Sequence, residues 1–330
     1  MGDKGRGQAI GLSIALAGAA LLVMPLVGPT PLDWARAWRE SSMDRQVLIE
    51  LRVPRVLLGM LAGGCLSLAG ALFQALLRDA LATPYTLGVS SGASLGAVAA
   101  ICLGWEFGGV LPAVWLASFG GAIGALLLVL TIASEGRRMS SFTLLLAGVT
   151  INSMCLALIL FLHNLASFGQ SFSISRWLMG GVESVSYETL GWLGCVTLVV
   201  CLPILRWSRE WNLLAVGEEW AAARGVATGR LLLVGYVGGS LLTGAVTALT
   251  GPIGFVGLIV PHALRLRVGA DHRVLLPCSF FTGAAFLAVC DALARTMLAP
   301  TEVPVGVITA LFGGPFFIWL LRTRRRSLWL

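Results

Sequence analysis

Lysine is almost absent from this sequence. Lys4 is the only one in 330 residues, and it stands too near the N-terminus to serve a GxxxxGK[ST] loop, so the chain carries no phosphate-binding loop of that type. Charge is scarce altogether: 23 Lys and Arg face 16 Asp and Glu, and charged residues make up 12% of the chain against roughly 25% in soluble domains. The three histidines, His163, His262 and His272, lie far apart and lack HExxH or similar spacing, which leaves no metal-hydrolase signature. The seven cysteines are scattered, odd in number and without CxxC spacing; they read as small packing residues and not as a disulfide or zinc framework.

What fills the chain instead is hydrocarbon. Hydrophobic residues make up 57%, the mean hydropathy is +0.88, and apolar runs of about 20 residues recur along the whole length. This composition specifies an all-α, polytopic membrane bundle in one domain spanning 1–330. Candidate helices fall near 10–28, 53–76, 85–104, 111–133, 142–163, 188–206, 231–250, 253–268, 274–294 and 303–321, about ten in all. The first has no convincing small-residue cleavage site after it and is expected to be a retained span. The eighth follows Gly251, Pro252, Gly254 and Gly257 and contains Pro261, so a broken or re-entrant helix fits it as well as a full span.

Positive charge sets the expected orientation. With the N-terminus in the cytoplasm, sixteen Lys and Arg fall in inner loops, including Arg137, Arg138, Arg324, Arg325 and Arg326. Seven fall outside: Arg36, Arg39, Arg45, Arg52, Arg55, Arg176 and Arg295. Both termini are therefore expected inside. Five of the outer seven crowd the first loop and its exit, an excess that simple topology does not require.

Small residues recur every four positions at Gly59, Gly63, Ser67, Ala71 and Ala75, and again at Gly235, Gly239, Thr243 and Thr247. Such ridges let neighbouring helices approach closely in lipid, and they speak to packing, not cargo. The polar interval 207–230 holds most of the mid-chain charge. Within it Gly217–Arg224 reads as a short helix, with Glu218 and Glu219 in the first turn, Arg224 in the last and Gly225 as a stop. With Trp220 as a knob it suits a groove on another protein, or equally a connector lying on lipid headgroups.

Three segments carry a resemblance: "LRVPRVLLGMLAGGCLSLAGALFQALLRDALATPYTLGVSSGASLGA" (51–97), "LLAVGEEWAAARGV" (213–226), and "GPIGFVGLIVPHALRLRVGADHRVLLP" with "DALARTMLAPTEVPVGVITALFGGPFFIWLL" (251–321). In order and spacing they resemble the permease subunits of type II ABC importers, the family for cobalamin, haem and ferric siderophores. The resemblance implies a dimer of ten-helix subunits in the bacterial inner membrane, with membrane lipid and no nucleic acid as surroundings. It also implies two cytoplasmic ATPase subunits that hold ATP and Mg, no cofactor in this subunit, and a periplasmic or lipid-anchored binding protein.

Site residues follow position by position from that resemblance. Glu218, Glu219, Trp220 and Arg224 fall on the loop that couples to the ATPase. Arg52, Arg55 and Arg295 fall where relatives dock the binding protein, although headgroup snorkelling suits the first two and an i,i+4 pair with Asp291 suits Arg295. "RDALATP" and "RRMSSFTLLLAG" place a cytoplasmic gate at Asp79, Leu81, Ser141 and Phe142; Asp79 stands where asparagine is usual, and an Arg78–Asp79 loop pair accounts for it equally well. Asn152, Ser153, His163 and Asn164 are polar enough to touch a translocation path. Two other classes fit less well. A proton-coupled transporter needs several mid-membrane ionisable groups, whereas Asp291, apart from Glu188 at the first position of its span, is the only acid inside an expected span, and an intramembrane enzyme needs a convergent catalytic set that no spacing provides.

Overall fold

The structure is a computed structural model and describes residues 3–30, 42–105, 112–133 and 140–323. Arg36, Arg39, Arg137, Arg138 and Arg324–Arg326 of the charge tally lie outside the described residues. The helices are α1 (Asp3–Val23), α2 (Val53–Leu77), α3 (Val89–Cys102), α4 (Ala113–Ala133), α5 (Ser141–Leu165), α6 (Phe168–Leu178) and α7 (Tyr187–Arg206). They continue as α8 (Ser208–Val216), α9 (Glu218–Ala223), α10 (Thr228–Thr250), α11 (Val256–Val268), α12 (His272–Thr296) and α13 (Val305–Thr323). Seven helices among the described residues are long and apolar enough to cross a membrane. With the shorter α3, α11 and the apolar part of α13 they occupy the ten expected positions.

Local chemistry explains the boundaries. Ser140, Ser167 and Ser186 each accept the backbone N–H three residues on, which starts α5, α6 and α7. The segment before α2 winds as a wide π-turn over Val47–Arg52, and Pro54 then occupies the first turn of α2, where a missing N–H costs nothing. α11 is only 13 residues long because the chain ahead of it is not helical: Gly251 (φ 64) and Phe255 (φ 68) both sit in the left-handed half of the map. The backbone freed there is satisfied within the protein, since Gly181 N–H donates to Thr250 O at 2.8 Å.

α2 is the axis of the bundle. Residues 62–77 are buried without interruption, as expected of a helix apolar on every face, and α10, α11 and α12 pack around it. The small-residue ridges are used. A Cβ on Gly63 would collide with the Gly283 carbonyl on α12, and one on Gly239 would lie 2.6 Å from the Phe73 ring. The closest approach lies off the ridge, at Gly70, where a Cβ would meet the Gly257 carbonyl of α11.

Candidate functional site

Polar chemistry collects at the two ends of the bundle. One end holds the start of α1, the end of α2, the start of α5, α8, α9 and the start of α12; it is called here the connector end. The other holds the start of α2, α6 and the junction of α12 with α13.

At that second end Arg55, on the first turn of α2, reaches the far end of α12. Its Nε and Nη2 donate to Asp291 Oδ1 at 3.2 and 3.1 Å, and its Nη1 donates to Glu302 Oε1 at 3.1 Å. Arg295 sits 3.0 Å from Asp291 Oδ2, so the i,i+4 pair legible in the sequence forms. Asp291 is 1% exposed, whereas Glu302 is 47% exposed and Arg55 17%. The four side chains thus run from a sealed carboxylate to an open one. Arg52 turns inward: its Nη2 donates to Thr30 O at 2.6 Å, and its guanidinium occupies the space a Cβ on Gly28 would need. Of the three arginines assigned to docking, only Arg55 is partly open. It borders a cavity of about 1090 Å³ with Asp291, Glu302, Trp115, Phe172 and Trp177.

Polar residues of α5 are spread along the helix. Asn152 is half-buried and Ser153 is exposed, its hydroxyl returning to Val149 O at 3.0 Å. His163 and Asn164 lie about 16 Å further along the axis, and His163 Nε2 is 3.5 Å from Ser175 Oγ on α6. The four do not form one cluster.

At the connector end, Glu218 turns into the protein. Its Oε1 accepts from Ser141 N–H at 3.1 Å and lies 2.5 Å from Ser141 Oγ, which is itself 2.7 Å from Leu76 O. Arg78 Nη2 stands 3.6 Å from the same oxygen. Asp79 does not pair with Arg78; its Oδ1 accepts Leu81 N–H at 2.9 Å and fixes the turn after α2. Leu81 and Phe142 are both exposed. Glu219 is exposed, and Trp220 is 61% exposed with the Arg224 guanidinium 5.6 Å from its ring centre. The fully buried Trp211 of α8, whose Nε1–H donates to Ile204 O at 2.8 Å, anchors this platform to α7.

A second tie was not legible in the sequence. Asn212 of α8 donates to Asp271 Oδ1 at 2.9 Å and accepts His272 N–H at 2.8 Å, while Arg6 and Arg273 both pair with Asp271. Hydrogen bonding to Arg273, followed by that to Asn212, holds the Asp271 carboxyl well below the usual carboxylate range despite partial burial.

Residues 14–323 match the FecCD transport family. The hemin transport system permease protein HmuU of Yersinia pestis is 38% identical over 308 residues, covering 91% of each chain. The vitamin B12 import system permease protein BtuC of Klebsiella pneumoniae is 42% identical over 297 residues, 87% of this chain and 86% of that one. A metal-chelate type ABC transporter solved in an inward-facing conformation superposes with a TM-score of 0.86 at 29% identity, over 96% of this chain and 99% of that chain. With similarity running through nearly its whole length, the chain belongs to the FecCD transport family, as a non-catalytic membrane permease subunit.

Proposed function

We propose that two copies of this chain form the membrane core of an ATP-driven importer for a large metal chelate, a class that takes in cobalamin, haem and ferric siderophores. On this reading the connector end and both termini face the cytoplasm of a bacterial inner membrane. Two ATPase subunits carrying ATP and Mg bind there through Trp220, Glu219 and Arg224. A periplasmic or lipid-anchored binding protein docks at the opposite end, with Arg55 as the contact and Arg52 and Arg295 shaping its setting. Asp79, Leu81, Ser141 and Phe142 would form the inner gate. Asn152, Ser153, His163 and Asn164 would touch the path along the dimer axis, opened and closed by alternating access.

The observation that carries this reading is the exposure of Trp220 on a six-residue helix whose neighbours are otherwise anchored. An exposed indole braced by an arginine is a poor surface residue and a good anchor for a partner groove. The chelate class follows from the relatives, whose names specify hemin and vitamin B12, both bulky metal macrocycles.

The test is purification of the permease from native membranes in mild detergent, followed by reconstitution in liposomes with whatever ATPase and binding protein remain attached. ATP-dependent accumulation of cyanocobalamin, haemin or a ferric hydroxamate is expected for one of the three. A permease that retains no ATPase overturns the reading.

A further inference from the structure

One carboxylate joins three helices at the connector end. Glu218 is the first residue of α9; its Oε1 takes the N–H of Ser141, the first residue of α5, at 3.1 Å. The helix's own cap, Ser140, takes the Thr143 N–H, and Glu218 supplies from another helix the acceptor for the Ser141 N–H. The hydroxyl of Ser141, a residue buried at 3% exposure, lies between Glu218 Oε1 and Leu76 O at the end of α2, and its single proton can be given to either. Arg78, held at φ 52 just past α2, faces the same oxygen at 3.6 Å. Hydrogen bonds to an ionised acceptor are the stronger kind, whereas the Arg78 contact is partly exposed and serves mainly to orient.

The same short helix has an outward side. Glu219 and Trp220 follow Glu218 directly and are exposed. Gly225, at φ 83, ends the segment, and buried Ala221 seats it. A force applied at Trp220 therefore reaches Glu218 within one turn of helix.

We propose that Glu218 is the positioning residue through which α9 moves the first turn of α5: its carboxylate transmits displacement of the coupling helix to Ser141, with the end of α2 as the third partner. This rests on the reading that α9 docks an ATPase. It assigns Glu218 an inward, mechanical role in place of contact with that ATPase. Phe142, exposed and next to Ser141, is carried by the same turn.

The experiment is hydrogen–deuterium exchange of the permease–ATPase complex with and without ATP and vanadate, read at peptides covering α9 and residues 141–147. In the wild type both peptides should respond to nucleotide. In Glu218→Ala the α9 response and the bound ATPase should remain while the 141–147 response disappears. The first turn of α5 should also exchange roughly 5- to 30-fold faster without nucleotide, the scale of a lost cap. Glu218→Gln keeps an acceptor for Ser141 N–H and should restore the response. If Glu218→Ala does not reach the membrane, Ser141→Ala makes the comparison, since it removes the hydroxyl link and keeps the backbone; the response at 141–147 should weaken. A response that persists there in the Ala variants overturns the transmission role alone. A wild-type complex whose α9 ignores nucleotide overturns the docking reading and the transmission role together.

Discussion

Arg55 and Asp291, 236 positions apart, share a two-pronged contact to one oxygen that fastens the start of α2 to the end of α12. Arg295 approaches the other oxygen from Asp291's own helix, so a single carboxylate at 1% exposure is shared by two guanidinium groups, with Glu302 as the second acid on Arg55. Asp291→Ala leaves both arginines without their main buried partner. Loss of one member of a buried ion pair costs about 3–5 kcal/mol, so the variant should unfold at clearly lower temperature in detergent without any partner protein present. An unchanged melting temperature would show that the pair is not a fastening.

Arg55 also meets Glu302, and that contact faces outward. A docking carboxylate has to compete with Glu302 for the same guanidinium. Arg55→Gln should weaken binding-protein affinity, and Glu302→Gln should raise it, each by the ~0.2–1 kcal/mol of an exposed pair. Both differences should shrink as salt rises, because screening sets in over about 8 Å at physiological ionic strength. Arg52→Glu should act otherwise. Its guanidinium is spent on Thr30 and Leu26, so reversal should lower the stability of the permease itself. Binding titrations across salt separate the two arginines, while melting curves should fall for both, since Arg55→Gln also breaks the Asp291 fastening.

Trp220→Ala tests the opposite end. The indole is 61% exposed and lies beneath the Arg224 guanidinium, so the bundle should stay folded. A hot-spot aromatic lost from a partner groove costs about 2 kcal/mol or more, which predicts a complex that sheds its ATPase on dilution or hydrolyses ATP without transport. Intact assembly with coupled transport in this variant rejects the anchor role.

Helix positions were legible because lipid demands long apolar runs: the expected span 188–206 is Tyr187–Arg206, and 53–76 is Val53–Leu77. The amphipathic α6 escaped notice because at 11 residues it is too short and too polar to register as a span, although Ser167 and Gln170 form a capping box that marks its start. The Gly217–Arg224 helix was also readable, as was the Arg295–Asp291 pair, since both are local. Contacts that depend on tertiary folding were not. Nothing in the spacing links Arg55 to Asp291 across 236 positions or Ser141 to Glu218 across 77. The inward turn of Arg52 was equally hidden, because its acceptors are a backbone oxygen at Leu26 and the Thr30 side chain and carbonyl.

Asp271 gives the connector end a pH dependence of definite sign. Its folded pKa is depressed below the unfolded value of about 3.9, so the Arg273, Asn212 and Arg6 ties contribute fully above that value and are lost as pH falls through the folded one. Asp271→Asn should therefore be less stable than wild type by a constant margin between pH 6 and 8. That margin should narrow below about pH 4, where the carboxyl of the unfolded wild-type chain takes up its proton while the folded one stays ionised. Melting curves over pH 3 to 8 measure it, and a margin that widens in acid contradicts the assignment.

Close helix contact makes the last prediction the most local. At Gly70 a methyl group would be driven into the Gly257 backbone carbonyl on α11, with no flexible side chain there able to yield. Overpacking of this kind typically costs 1–3 kcal/mol, about what a shift of α2 against α11 requires. α11 is entered through the left-handed residues Gly251 and Phe255, so its position is fixed at one end and cannot relax freely. Gly124 of α4 is the control, because a Cβ there meets nothing within 4 Å and alanine is the better helix former. Gly70→Ala should lower the yield of folded permease and its melting temperature, while Gly124→Ala should match or exceed wild type. Equal behaviour of the two variants in size-exclusion and thermal assays would place the α2–α11 contact outside the set that determines how this bundle packs.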